Sequence, residues 1–165
     1  MEQQTSFTRH IAQKIRIATI TSGTYIKEDD DAPNFLLTQD NEKIYRVNIM
    51  GIVINKETIG SITSLLLDDS TDTLTLRSFE PNERLDSIEV GTPVLVIGKV
   101  RMYNGALYLT SEIITKIDPA WLTVRSKELV KSIKNKESNR PLIVVQDIIS
   151  KKTSQYSQIT IKSTF

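Results

Sequence analysis

The stretch LLLDDSTDTLTLRSF, residues 65–79, reads as two short strands separated by a turn, and it decides the fold. The apolar run 65–67 suits the end of a buried strand, and the acidic and hydroxyl residues 68–71 favour a tight turn. From residue 73 the side chains alternate, which places Leu74, Leu76 and Ser78 on one face and Thr73, Thr75, Arg77 and Phe79 on the other. The pattern predicts a β-hairpin with one face buried against the core and the other exposed to solvent.

Arg77 and Phe79 are two residues apart in the second strand, so both side chains project to the polar side of the sheet. A cation and an aromatic ring on one face suit a nucleic-acid strand, because the cation pairs with phosphate and a base stacks on the ring. These two residues are the first candidates for a binding site.

The composition is that of a soluble globular protein with one domain. The chain has 165 residues, of which 39% are hydrophobic and 25% are charged. No apolar run approaches the length of about 20 residues needed to span a bilayer, and residues 1–10 lack the pattern of a signal peptide. We therefore expect no membrane association and a cytoplasmic location, or a nuclear one if the host is eukaryotic.

Catalytic chemistry has few candidate residues here. The chain contains no cysteine and one histidine, His10, for which a structural or exposed role is expected. No phosphate-cradling glycine loop, metal-ligand cluster or pair of nucleophile and base is apparent, and Asp68-Asp69 fits a turn better than a catalytic pair. We expect a protein that is not an enzyme and binds no cofactor or metal.

The charges are distributed unevenly along the chain. Residues 1–123 contain 12 Lys/Arg and 17 Asp/Glu, whereas residues 124–165 contain 9 and 3. Because the first part is acidic, tight and salt-sensitive binding of nucleic acid by this chain alone is not predicted. This distribution of charge favours a protein that acts as a subunit of a larger assembly.

Extending the hairpin in both directions predicts five strands between about Tyr45 and Ile117. Strand one lies in KIYRVNIMGIVINKE, residues 43–57, after the lead-in FLLT and the turn QDNE, and its Gly51 is typical of a bulge or bend. One helical turn falls within residues 81–88, and Asn104-Gly105 joins strand four, 93–103, to strand five. The number and order of strands predict an all-β fold, a five-stranded OB-fold Greek-key barrel.

The periodicity becomes helical after Asp118, and a helix is predicted over residues 119–135. Its apolar stripe must be buried against the barrel or against another subunit, and the stripe consists of Trp121, Leu122, Leu129, Val130 and Ile133. The predicted organisation is an N-terminal extension at 1–33, the OB-fold domain at 34–118, the helix at 119–135 and a basic tail at 136–165.

Three segments together resemble the middle (small) subunit of replication protein A and its archaeal relatives. They are VNIMGIVINKE, LLLDDSTDTLTLRSF and GTPVLVIGKVRMYNGALYLTSEIITKID, and the likeness covers about Val47 to Lys134. The resemblance implies that Phe79 and Tyr103 are base-stacking aromatics, with Arg77 and Arg101 beside them. It also implies that the helix assembles the chain with other subunits.

Alternation adds Lys99 to this set, because Lys99, Arg101 and Tyr103 share the side of strand four opposite Val100 and Met102. Other roles remain open. The aromatics can instead plug the barrel ends or cover the core edge, and the cations can form an ordinary solvated face. Tyr45 and Tyr108 are expected to be core or edge residues.

The leading hypothesis is a DNA-binding subunit of a replication protein A-like complex. It would hold single-stranded DNA without sequence preference during replication, repair or recombination, by stacking and backbone charge, and would form a hetero-oligomer with other such subunits. Two alternatives stay open. One is an OB-fold adaptor that binds only protein, and the other is an OB module for RNA.

Overall fold

The computed structural model describes residues 10–28 and 32–138, without the side chains of residues 131–138. The chain divides into two compact units, residues 1–129 and 130–165. Of the second unit, the structure describes only a helical segment up to Ser138. No helix in the described ranges combines the length and the apolar character needed to cross a membrane.

Short elements precede a set of long strands. The first part of the chain forms β1 (Gln13–Lys14), α1 (Ile17–Thr21), β2 (Thr24–Ile26), β3 (Phe35–Leu37) and β4 (Lys43–Ile44). It is followed by β5 (Val47–Ile59), β6 (Ile62–Asp68), β7 (Thr73–Ser78), α2 (Glu83–Asp86), β8 (Pro93–Tyr103), β9 (Ala106–Lys116) and α3 (Ala120–Ser138).

The five long strands close into a barrel. Antiparallel pairs join β5 to β6, β6 to β7, β8 to β9 and β5 to β8, and a parallel contact between Leu76 and Leu109 joins β7 to β9. This strand order and closure are those of the OB fold, so the fold prediction is confirmed. Outside the barrel, β1 pairs with β5, and β2, β3 and β4 form a small antiparallel sheet.

The strand β5 is shared between two neighbours. Its residues 47–52 pair with β8 and its residues 52–59 pair with β6. A Cβ atom on Gly51 would lie 2.8 Å from the carbonyl oxygen of Asp68, so only glycine lets the two strands approach this closely. A register shift follows between Val53 and Asn55, and it provides the bend expected of this strand.

A second glycine allows close approach of β8 and β9. The ladder between them shifts register between Ile97 and Gly98, and a Cβ atom on Gly98 would collide with the carbonyl oxygen of Thr110. On either side of Gly98 the inward positions Val94, Val96 and Val100 are buried. The intervening odd-numbered positions of β8 therefore face outward.

The hydrophobic core extends beyond the barrel strands. Ile17 and Ile20 of α1 are fully buried in the same cluster as the barrel residues Leu65, Leu67 and Leu76. Burial of one such side chain contributes about 1.5–3 kcal/mol. The domain boundary at residue 33 remains a prediction, but part of the N-terminal extension is continuous with the barrel core.

The turn between β6 and β7 holds the start of α1. The Asp69 Oδ2 atom accepts a hydrogen bond from the backbone N–H of Ile17 at 2.8 Å, and the Thr71 hydroxyl accepts one from Ala18 at 3.2 Å. Thr21 closes the other end of the helix by donating to Asp72, and this bond lowers the pKa of the Asp72 carboxyl. Since α1 has no capping side chain of its own, the turn caps it.

We predict that Asp69→Ala lowers the free energy of unfolding by about 0.5–2 kcal/mol, the range measured for loss of a helix cap. Asp69→Asn keeps one acceptor oxygen and should give an intermediate loss. Urea denaturation followed by circular dichroism measures both, with Glu57→Ala as a control that removes an exposed carboxylate elsewhere. Equal stability of Asp69→Ala and the wild type would contradict the assigned capping role.

Candidate nucleic-acid interface

The outer face of β7 carries the first pair of predicted residues. Leu74 and Leu76 point into the core, whereas Arg77 is half-buried on the opposite side. Phe79 follows the last residue of β7, and 51% of its surface is exposed. The alternation deduced for this strand agrees with the burial pattern.

The outer face of β8 carries the second group. Lys99 and Arg101 are half-buried, and Tyr103, the last residue of β8, is 65% exposed. The chain then turns through Asn104 and Gly105, whose φ angles are 49° and 79°. Positive φ at both positions is what a tight two-residue hairpin requires. The predicted hairpin is therefore present, and it leaves Tyr103 at its rim.

The strand β9 lies between β7 and β8 and contributes Tyr108. Its neighbours along the strand, Leu107 and Leu109, pack into or against the core, so the Tyr108 ring faces outward. This ring meets Phe79 edge-on, with centroids 6.0 Å apart and an interplanar angle of 76°. The guanidinium of Arg77 lies 5.4 Å from the Tyr108 ring centroid.

Tyr108 is the residue of this face that sequence reasoning did not assign to the site. It was expected to be a core or edge residue, and the structure places it half-buried on the outer face. Its neighbours could not be inferred, because the pairing of β7 with β9 joins residues far apart in the chain. In the β8–β9 ladder Tyr108 is also the partner of Arg101.

The three predicted cations differ in their ionic partners. The Lys99 ammonium lies 3.8 Å from a carboxylate oxygen of Glu112, and Arg46 forms a closer ion pair with the same carboxylate. No ion pair within the described ranges involves Arg77 or Arg101. The two arginines are therefore better placed than Lys99 to meet a phosphate.

Three of the predicted site residues, Phe79, Arg77 and Arg101, lie next to Tyr108, whereas Tyr103 has no such contact. Phe79 and Arg77 meet through Tyr108, and Arg101 is beside Tyr108 in register. Tyr103 is paired in register with the small residue Ala106, and within the described ranges it has no ring contact with another aromatic side chain. Of the two exposed aromatic rings on this face, Phe79 contacts another aromatic ring and Tyr103 does not.

The predicted apolar stripe of α3 is only partly covered. Leu122 and Leu129 are half-buried and line a groove of about 570 Å³ together with Met50, Ile52 and Ile54 of β5. Trp121 is 53% exposed and Val130 is 40% exposed, and the side chain of Ile133 lies outside the described residues. Val124, which was not assigned to the stripe, is 43% exposed.

A charged residue anchors α3 to the barrel. Arg125 is 6% exposed, and its guanidinium donates to the backbone oxygen of Asn48 at 2.9 Å and to the side-chain oxygen of Asn48 at 3.0 Å. Burial lowers the pKa of Arg125, although an arginine remains charged in proteins. Glu128 accepts a bond from Arg125 of the same helix at 3.3 Å and another from Lys14 of β1 at 3.2 Å. The helix is thus tied to β5 through Arg125 and to β1 through Glu128.

We predict that Glu128→Gln destabilises the protein at neutral pH and that the difference from wild type disappears in acid. The bond from Lys14 is the main cause that holds the pKa of Glu128 below its ordinary value of 4.5. A carboxylate with a lowered folded-state pKa stabilises the fold above the unfolded value, and this contribution is lost as the pH falls through the folded-state pKa.

Urea midpoints of the two proteins between about pH 7 and pH 3 test this prediction. The difference should begin to shrink near pH 4.5 and should vanish once the pH has fallen through the lower folded-state pKa. The difference at pH 7 should also shrink in high salt, because the Lys14 pair is exposed. A difference that stays constant across the pH range would show that the ion pairs of Glu128 do not stabilise the fold.

The barrel and its terminal helix define an OB-fold protein, and solved OB-fold structures match it over most of its length. A chain of a replication protein A heterotrimer bound to single-stranded DNA superposes with a TM-score of 0.62 at 16% identity, covering 76% of this chain and 98% of that one. A chain of yeast RPA bound to single-stranded DNA gives 0.57 at 19% identity, covering 75% and 92%. The S. pombe Stn1–Ten1 complex gives 0.53 at 20% identity, covering 62% and 78%. At these identities the likeness shows the fold.

Sequence comparison adds an archaeal relative. An uncharacterised protein of Methanocaldococcus jannaschii is 38% identical over 95 residues, which are 58% of this chain and 39% of that protein. This chain therefore spans well under half the length of that relative. No family model matches the sequence.

Proposed function

We propose that this chain is a single-stranded-DNA-binding subunit of a replication protein A-like complex. The observation that carries the proposal is the outer face of β7, β9 and β8. On this face two aromatic rings, Phe79 and Tyr103, are more than half exposed beside Arg77 and Arg101, neither of which pairs with a described carboxylate. Exposed rings next to cations on an OB surface are what stacking of unpaired bases requires.

The mechanism is stacking combined with backbone charge. Phe79 and Tyr103 each offer a ring to one base, and stacking contributes about 1–3 kcal/mol per base irrespective of its identity. Arg77 and Arg101 meet the phosphates, while Lys99 contributes less because Glu112 competes for it. The bound strand is kept unpaired without sequence preference, which suits replication, repair or recombination.

The superposed structures support this proposal because two of them contain bound single-stranded DNA. Two of the superposed structures are complexes of replication protein A with single-stranded DNA, and both share the barrel over about three quarters of this chain. Their likeness alone does not extend to residue roles. It makes a single-stranded nucleic acid the first ligand to test.

The proposal includes no enzymatic activity and places the protein in the cytoplasm, or in the nucleus of a eukaryote.

We propose further that α3 assembles the chain with other subunits of the complex. A tryptophan that is half exposed on a helix is a common anchor of protein interfaces, and Trp121 has Val124 one turn away on the same helix. Two members of the predicted stripe, Leu122 and Leu129, line the groove against β5. Arg125 thus fixes the helix to the barrel, and the nearby apolar side chains of Trp121 and Val124 remain exposed.

We predict that Phe79→Ala/Tyr103→Ala weakens binding of single-stranded DNA by about tenfold or more, because two stacking contacts are lost. Fluorescence anisotropy with a labelled oligothymidylate of about 30 nucleotides measures the affinity at several salt concentrations. Two phosphate contacts predict a log-log salt slope of about −1.4, and Arg77→Met should reduce its magnitude by about 0.7. The matched control is Ile113→Ala, which shortens an exposed apolar side chain on β9.

The competing functions predict different results in the same assay. A protein-only adaptor would bind neither single-stranded DNA nor duplex, and the double substitution would change nothing. An RNA module would bind folded RNA more tightly than oligothymidylate. Either result would overturn the proposed function, whereas preference for the single strand over duplex and over folded RNA supports it.

We predict that Trp121→Glu prevents assembly with partner subunits and leaves DNA binding by the isolated chain unchanged. A charge at the centre of an apolar contact is not compensated on burial, so the complex should dissociate. Partners are identified by crosslinking in the native host and mass spectrometry, and the purified subunits are then mixed with each variant on size exclusion. Lys127→Glu, an exposed charge change on the same helix, should assemble normally if Trp121 is the anchor. Assembly of the Trp121→Glu variant at wild-type affinity would refute this role.

A further inference from the structure

We infer that Tyr108 is a positioning residue, which presets Phe79 and Arg77 for the strand that they bind. This inference rests on the proposed function and goes beyond it, since it assigns the geometry of the site to a residue that does not itself stack on a base. It also predicts that the two exposed aromatic rings are not equivalent.

The backbone around Tyr108 is held on both sides. Its neighbour Leu109 is fully buried and pairs with Leu76 of β7 and with Val100 of β8. Tyr108 itself pairs with Arg101 in the antiparallel ladder. The position of its ring is therefore determined by the barrel and not by a loop.

Phe79 lacks this kind of support. The ladder between β6 and β7 ends with the pair Thr63 and Ser78, so Phe79 follows the last paired residue. The edge contact with Tyr108, at 6.0 Å between centroids, is the described ring contact that fixes its orientation. A stacking ring that is already oriented loses less conformational entropy when a base binds.

The same ring also holds Arg77. The guanidinium lies 5.4 Å from the Tyr108 centroid, a distance at which a cation is attracted to the ring face. Because Arg77 occupies this face and the side chain is half-buried, Tyr108 offers a poor surface to a base. Its effect on binding is thus exerted through Phe79 and Arg77.

Tyr103 provides the internal comparison. It is more exposed than Phe79, lies at the rim of the β8–β9 hairpin and has no ring contact with Tyr108. Removal of Tyr108 should therefore leave stacking on Tyr103 unchanged. A general loss of stability would instead affect both rings.

A double-mutant cycle tests the inference. Tyr108→Leu is made alone, with Phe79→Ala and with Tyr103→Ala, and each affinity for oligothymidylate is measured by anisotropy. We expect Tyr108→Leu to weaken binding about three- to tenfold in the wild type, the fold-change that an aromatic edge contact supplies. The same loss is expected with Tyr103→Ala, but with Phe79→Ala only the smaller part that acts through Arg77 remains, less than about twofold. Tyr108→Phe keeps the ring and should bind as wild type.

The outcomes separate this inference from the proposed function. An equal loss in the Phe79→Ala background would show that Tyr108 acts independently of Phe79, and no loss in the wild type would show that it does not act at all; both overturn the inference. If Phe79→Ala itself has no effect, the proposed function fails first. Urea denaturation monitors the folding of each variant. If Tyr108→Leu does not fold, Tyr108→Thr takes its place, because a β-branched residue suits an outward strand position.

Discussion

Closure of the barrel depends on a single strand that pairs with two neighbours. The strand β5 leaves β8 and joins β6 at Ile52, and the backbone of β6 is so near that only glycine fits at position 51. A similar close approach of β8 and β9 requires Gly98. Without the pairing of β5 with both neighbours the five strands would form an open sheet with unpaired edges. The other elements are added to this closed ring.

Closure also determines which side chains share the outer face. The pairing of β7 with β9, and of β9 with β8, brings Arg77, Tyr108 and Arg101 side by side although they come from three strands. Each of them alternates with a buried neighbour, so a shift of one residue in any strand would move an apolar residue to the surface. The geometry of the candidate interface is therefore enforced by the same burial that stabilises the core.

Alternating patterns in the sequence were sufficient to predict the strands, the hairpin at Asn104-Gly105 and the outward faces of β7 and β8. They could not predict contacts between distant segments. The helix α1 has five residues, too few for a periodic signal, and yet Ile17 and Ile20 complete the core. No local pattern predicts the burial of Arg125, whose guanidinium donates to the carbonyl and side-chain oxygens of Asn48, far away in the chain. The neighbours of Tyr108 depend on the β7–β9 pairing, for which the local sequence contains no signal.

Under the proposed function, the charges on the candidate face suit a barrel that acts as one of several binding surfaces. Glu112 partly neutralises Lys99, and the two remaining arginines can meet only a few phosphates. A single surface with two stacking rings holds a strand weakly, and its bound strand is released quickly. When several such surfaces are linked, release from one leaves the strand at high effective concentration near the others, and the affinities multiply. Weak individual binding then becomes an advantage, because a partner protein can displace the strand from one subunit at a time. The anchored helix α3, with Trp121 and Val124 exposed, is the proposed means of linkage on the same chain as the proposed binding face.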